Sequence, residues 1–248
     1  MKRRGIGWWL YQPYKYLVFA PVVALVTAVL SLLAFVSSFV LPSRMTGQLC
    51  AVPWARILAL MTPMRVRVEG RDNIDPRQSY VLASNHQSQY DIFVLYGWLG
   101  IDFRWVMKQE LRSVPGIGMA CSRLDHIFID RSNHAAAMAS LDDAKKKIVD
   151  GTSVMFCPEG TRSRDGKLKS FKRGAFRMAV DLGLPILPLT VTGTRDVLPP
   201  DTSDLLPGSA RLIIHPPVLV EGKDAGDCQN LSDEVREIIA SALPPNQG

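Results

Sequence analysis

At 248 residues, 47 % hydrophobic and 21 % charged, the chain can bury the core of one full-sized domain and is too short to need two. A net charge of +6 favours an anionic partner, and with no nucleic-acid signature present a phospholipid surface or a phosphorylated substrate fits better than nucleic acid. Cys50, Cys121, Cys157 and Cys228 are scattered, with no CxxC and no ligand-like spacing with histidine, and read as free thiols in a reducing compartment.

Residues 17 to 41, LVFAPVVALVTAVLSLLAFVSSFVL, carry no charge. As a helix rising ~1.5 Å per residue, such a run exceeds the ~30 Å hydrocarbon layer of a bilayer, so the segment belongs in a membrane. A cleaved signal peptide fits poorly. The apolar run is longer than a signal core of ~7 to 15 residues, and it starts late, after Trp8, Trp9, Tyr11, Tyr14 and Tyr16, which resemble an interfacial aromatic belt. Basic residues flank the run on both sides, so charge bias does not orient it. Residues 46 to 62 form a second, weaker apolar stretch in which Pro53 and Arg56 oppose a full crossing. A dipping hairpin or anchor over residues 1–64 is therefore preferred to a single span.

From Pro63 onward short apolar runs alternate with helical stretches, the pattern of an α/β fold: a mixed, mostly parallel sheet flanked by helices, over residues 65–243. Strands are expected at 66–68, 80–84, 103–107, 126–129, 153–156, 186–191 and 212–214. Helices are expected at 91–99, 135–150, 173–182 and 232–243, with Gly151 and Gly183 as stops. Residues 196–208 read as a surface loop, and residues 244–248 as a loose tail.

Within SNHQSQYD, residues 84–91, His86 and Asp91 stand five apart. On a regular helix that step turns the chain ~500° and leaves the two side chains about 140° apart. They can meet only if His86 lies in the loop leaving a strand and Asp91 in the first turn of the following helix. Asp91 would then hold Nδ1–H of His86 and leave Nε2 as a general base. The plainer alternative is an acidic helix start beside a turn histidine. No histidine spacing suggests a metal site, and no G-x-S-x-G elbow supports Ser88 as a nucleophile.

A second cluster lies in VMFCPEGTRSRDGKLKSFKRG, residues 154–174. Gly160 admits close approach to backbone N–H groups, Thr161 adds a hydroxyl, and Arg162 can grip a phosphate through two hydrogen bonds. Glu159 would accept from a substrate hydroxyl or hold Arg162. Five residues separate Gly160 from Gly166 and Leu168 replaces the magnesium-binding hydroxyl, so this is not a nucleotide P-loop. Arg164 to Arg173 reads equally as an exposed basic turn. Arg131 and Lys108 also close apparent strands, and open α/β sheets bind ligands at the carboxyl ends of their strands. Either could instead be a surface ion-pair partner.

With these residues assembled, the chain resembles the glycerolipid acyltransferases, and within them the lysophosphatidate acyltransferases. NHQSQYD is similar to the family's N-H-x4-D motif, GIGMACSRLDHIFIDR to the second, FCPEGTR to the third and LPILPLTVTGT to the fourth, in the family's order over residues 80–194. The resemblance implies His86 as base and Asp91 as its orienter. It places Arg131, Glu159, Gly160, Thr161 and Arg162 in the acceptor site, and gives the segment ending at Pro188 a structural or acyl-donor role. It also implies no cofactor, with acyl-CoA or acyl-carrier protein as co-substrate, lysophosphatidate as acceptor, and a membrane location with the catalytic domain on the cytoplasmic face. Alternatives are acylation of glycerol-3-phosphate or another lysophospholipid, and a non-catalytic membrane-bound protein that binds anionic lipid.

Overall fold

The apolar runs after residue 63 become seven strands in the computed structural model, which describes residues 6–130, 132–148, 151–245 and 247. These are β1 (Met64–Glu69), β2 (Val81–Ser84), β3 (Phe103–Lys108), β4 (Ile127–Ile129), β5 (Ser153–Phe156), β6 (Ile186–Thr192) and β7 (Gly208–Ile214). They form one sheet in the order β1-β7-β6-β2-β5-β3-β4, parallel throughout except between β6 and β7. Every residue of β2 and β5 is buried, as a central parallel strand covered on both faces requires. β7 begins earlier than the sequence pattern indicates because Gly208 pairs with Met64, and β1 supplies the partner that local sequence cannot.

Successive β residues point to opposite faces, so β2 feeds two cores. Val81 and Ala83 pack with Val154, Phe176, Ala179 and Val235 under α6 (His134–Lys145), α7 (Gly174–Leu182) and α9 (Cys228–Ser241). Leu82 packs with Val94, Leu95, Met155 and Leu187 under α4 (Tyr90–Trp98). Two short helices escape the sequence pattern, α5 (Ile117–Arg123) and α8 (Thr194–Val197), since neither spans enough turns to show a period. α6 stops at Lys145, short of the expected end. The N–H groups of Lys147 and Ile148 reach back only three residues and tighten the chain into a turn. Residues 149 and 150 lie outside the described residues.

The amino-terminal segment is a helical hairpin. α1 (Ile6–Tyr14) continues through a π-helical turn (Lys15–Phe19) into α2 (Ala20–Ser37), and α3 (Ser43–Met61) returns antiparallel to them. Tyr14 donates its hydroxyl to Met61 O at 2.7 Å, and Trp54 Nε1–H donates to Thr27 Oγ1 at 3.0 Å. Among the described residues, one helix, Tyr11–Ser37, is long and apolar enough to cross a membrane. Its Leu17, Leu25, Val29, Leu32 and Val36 are exposed, whereas α3 buries small residues, Ala55 and Ala59 among them, beside α4. Arg56 is spent on that packing. Its Nε donates to Gly97 O at 2.8 Å, an otherwise unpaired carbonyl at the end of α4.

At the amino end of β3 a buried polar cluster ties the hairpin to the sheet. Arg104 pairs with Asp102 at 2.8 Å and donates to Ser43 Oγ at 2.9 Å, while His126 Nδ1 accepts the N–H of Trp105 at 3.2 Å. The other ring nitrogen of His126 is hydrogen-bonded to the Tyr96 hydroxyl. A second ring proton would face the Trp105 N–H, so the imidazole must stay neutral. Burial, with the Arg104 guanidinium nearby, pushes its pKa down to about 3 from 6.5. Between those values the unfolded chain binds a proton that the folded chain refuses, so stability falls as pH drops below 6.5 toward 3. His126→Asn should flatten that dependence by up to about 1.4 kcal/mol per pH unit, measured by denaturant unfolding in detergent between pH 4 and 7.

Candidate active site

β2 ends at Ser84, and Asn85 prolongs its pairing with β6 through its side chain, donating Nδ2–H to Val191 O at 2.8 Å and accepting from Val191 N–H at 2.7 Å. The next residue is held from the other side. His86 N–H donates to Glu159 Oε1 at 2.7 Å, and His86 O accepts the Ser163 N–H at 2.9 Å. Both backbone groups of the histidine are thus held by the loop leaving β5, while Asn85 beside it is tied to β6.

Its ring is set by Asp91 in the first turn of α4. Nδ1 of His86 lies 2.8 Å from Asp91 Oδ2, which also accepts the N–H groups of Gln87 at 2.8 Å and Ser88 at 2.9 Å. The other carboxylate oxygen accepts the hydroxyl of Thr194, a fully buried residue. An acceptor so placed requires the proton on Nδ1, and Nε2 meets no hydrogen-bond partner among the described residues. Asp91 is 1 % exposed and the His86 side chain 20 %, so the carboxylate is sealed while the imidazole reaches solvent. The five-residue step is therefore made across a strand-to-helix turn.

Glu159 differs from its sequence reading. It lies buried beneath the loop with its oxygens divided between His86 N–H and Lys169 N–H, the latter at 3.1 Å, and it does not pair with Arg162. Burial raises its pKa above the usual carboxylate range, and the two N–H groups oppose that rise. The reason it misses Arg162 is the turn at Gly160, where φ is 75° and a Cβ would stand 2.9 Å from Lys172 Cε. The chain reverses there and carries Thr161 and Arg162 outward. Thr161 Oγ1 accepts from Lys169 Nζ at 3.1 Å. Arg162 Nη2 sits 3.2 Å from Asp201 Oδ1, and Arg164 Nε reaches Oδ2 of the same carboxylate at 2.8 Å.

The remaining expected residues fall differently. Lys108 is exposed at the end of β3, and Arg131 lies outside the described residues. Pro188 is buried in β6 opposite Ala83, its carbonyl accepting the His215 N–H at 3.1 Å. Three contacts lie outside the sequence expectations. Thr194 follows a sharp turn at Gly193, where φ is 83° and a Cβ would stand 2.2 Å from Ser209 O. Arg195 donates to the carbonyls of Ser163 and Arg164 at 3.2 and 2.6 Å, steadying the basic loop. Gln247, in the expected loose tail, is docked: Oε1 accepts from Gln87 Nε2, and its backbone carbonyl accepts Leu168 N–H, each at 2.9 Å. The strand-end rule could have raised Thr194, two residues past the end of β6; a contact from the far tail has no such cue.

Residues 65–192, the stretch holding His86, Asp91 and the Glu159–Arg162 turn, match the family model described as Acyltransferase. The chain belongs to the acyltransferase family. Among relatives of this chain, a 1-acyl-sn-glycerol-3-phosphate acyltransferase of Chlamydomonas reinhardtii is 34 % identical over 183 residues, covering 73 % of this chain and 54 % of that protein. The 1-acyl-sn-glycerol-3-phosphate acyltransferase alpha of Homo sapiens is 33 % identical over 181 residues, 73 % of this chain and 64 % of its own length. The chain spans about half the length of the first curated relatives it matches. The crystal structure of the 1-acyl-sn-glycerophosphate (LPA) acyltransferase PlsC from Thermotoga maritima superposes with a TM-score of 0.81 at 26 % identity, covering 94 % of this chain and 95 % of that one. In an assay of the acyl transfer proposed below, Thr194→Val, which keeps the side-chain volume but removes the hydroxyl, should lower kcat by about 10- to 100-fold, the effect of losing one hydrogen bond to a charged group. Thr194→Ser should restore most of it in steady-state assays.

Proposed function

We propose that the chain transfers an acyl group from an acyl thioester to the sn-2 hydroxyl of 1-acyl-glycerol-3-phosphate, giving phosphatidic acid. The observation that carries this reading is the His86 imidazole, held through Nδ1 by a sealed carboxylate with Nε2 open, within hydrogen-bonded reach of the Glu159–Arg162 turn. The acceptor is chosen from relatives named for that activity and from the resemblance of NHQSQYD.

In this mechanism Nε2 of His86 takes the hydroxyl proton as the oxygen attacks the thioester carbonyl. The tetrahedral centre collapses, the C–S bond breaks, and the imidazolium returns its proton to the departing thiolate. Asp91 stabilises the imidazolium and fixes its orientation without itself taking up the proton. No covalent acyl-enzyme forms, and the donor is acyl-CoA or acyl-carrier protein. Arg162 holds the acceptor phosphate and exchanges its contact with Asp201 for it, with Arg131 assisting. Glu159 works through the backbone, setting the position of His86.

The hairpin supports a monotopic membrane association. Lys15 bonds to Ser203 O, and Arg123 of α5 stacks 4.5 Å over the Phe39 ring, so the segment is fastened to the α/β domain at both ends. The intervening helix is about 36 Å long at ~1.5 Å per residue, more than the ~30 Å hydrocarbon layer. A helix fastened that way cannot cross the bilayer while the domain stays in water. It lies along one leaflet, with the catalytic face on the cytoplasmic side and lipid substrate entering without crossing water.

Purified protein assayed with lysophosphatidate, glycerol-3-phosphate and other lysophospholipids should prefer lysophosphatidate; equal turnover of another acceptor would overturn the substrate assignment. His86→Ala should lose about 10²- to 10⁴-fold in kcat while retaining lipid binding, and normal turnover in that variant would remove His86 as the base. Arg162→Ala should raise the acceptor KM by about 10- to 100-fold with a smaller change in kcat, and an unchanged KM would take Arg162 out of the phosphate site.

A further inference from the structure

The chain leaving β3 makes a short 3-10 turn (Gln109–Ser113), whose Arg112 guanidinium lies 5.7 Å over the Phe128 ring, and then enters α5. Residues 108 to 115 are all exposed, and Leu111, Val114, Ile117 and Met119 are exposed large hydrophobics. Four such side chains within nine residues, beside Lys108 and Arg112 with Glu110 as the lone acid, form an amphipathic basic surface.

The position of this surface identifies what covers it. α5 packs along α2: a Cβ at Gly116 would stand 3.7 Å from Ser31, and the Arg123 guanidinium lies 5.0 Å over Phe35. The apolar residues of 111–119 therefore adjoin the helix whose Val29, Leu32 and Val36 are exposed. The segment also begins at the carboxyl end of β3, the end of the sheet from which His86 and Glu159 emerge from neighbouring strands.

We propose that residues 108–119 are a second bilayer-contacting element, which docks on an anionic phospholipid surface together with α2 and sets the catalytic face against it. Leu111, Val114, Ile117 and Met119 enter the acyl boundary, and Lys108 and Arg112 meet headgroup phosphates. A hairpin alone would fix the protein along one line and leave it free to roll about the α2 axis. A second contact displaced from that axis removes the rolling and brings the strand ends to the depth of the lipid headgroups.

This inference rests on the membrane reading above, and the test separates the two. Hydrogen exchange of the full chain would be followed with and without vesicles of phosphatidylglycerol and phosphatidylcholine. Amides of 109–119 should gain protection along with those of α2. The double variant Leu111→Asp/Ile117→Asp should raise KM for vesicle-presented lysophosphatidate at least tenfold and leave KM for detergent-dispersed substrate unchanged. Leu219→Asp, an exposed leucine between β7 and α9, should change neither. Absence of vesicle binding would defeat the membrane reading and this inference with it. Protection of α2 without any change at 109–119, or a double variant equal to the unmodified protein on vesicles, would overturn this inference alone.

Discussion

The carboxylate of Asp91 is the point on which the site depends. It receives His86 Nδ1, the N–H groups of Gln87 and Ser88, and the Thr194 hydroxyl, drawing the end of β2, the start of α4 and the turn after β6 to one buried position. A buried carboxylate is tolerable only when donors surround it, so these bonds shape the turn and orient the His86 imidazole at once. Glu159 performs the complementary task from β5, fastening the backbone of the same histidine.

The sheet makes this convergence repeatable. β2 lies between β5 and β6, so the loops leaving all three emerge side by side, and each contributes one part of the site: His86, the Glu159–Arg162 turn, and the Thr194–Arg195 brace. Leu82 on one face and Val81 and Ala83 on the other lock β2 between two packed cores. Rigid strands beneath short, hydrogen-bonded loops hold the His86 imidazole in a preorganised position rather than one that must be assembled on binding.

The hairpin extends the same layering toward lipid. α3 hides small residues against the domain, and α2 turns its large apolar residues outward. The segment read from sequence as a membrane-associated hairpin is tied to the domain by Arg56, whose Nε donates to the carbonyl of Gly97, and by Arg104, which donates to Ser43.

Much was legible along the chain because its signals are local. All seven strands show as short apolar runs, the long charge-free segment shows as a helix for lipid, and the His86–Asp91 step cannot close on a helix and so announces a strand-to-helix turn. The tertiary structure alone decided the partners of those groups. Glu159 turns to His86 rather than Arg162, Asp201 holds two arginines, Thr194 completes the Asp91 shell, and Gln247 docks on Gln87. Each is a contact between residues far apart in sequence, and its geometry follows from strand order and the left-handed turns at Gly160 and Gly193. Periodicity and residue chemistry reveal which groups can form a hydrogen bond; only the packed sheet determines which of them come within reach.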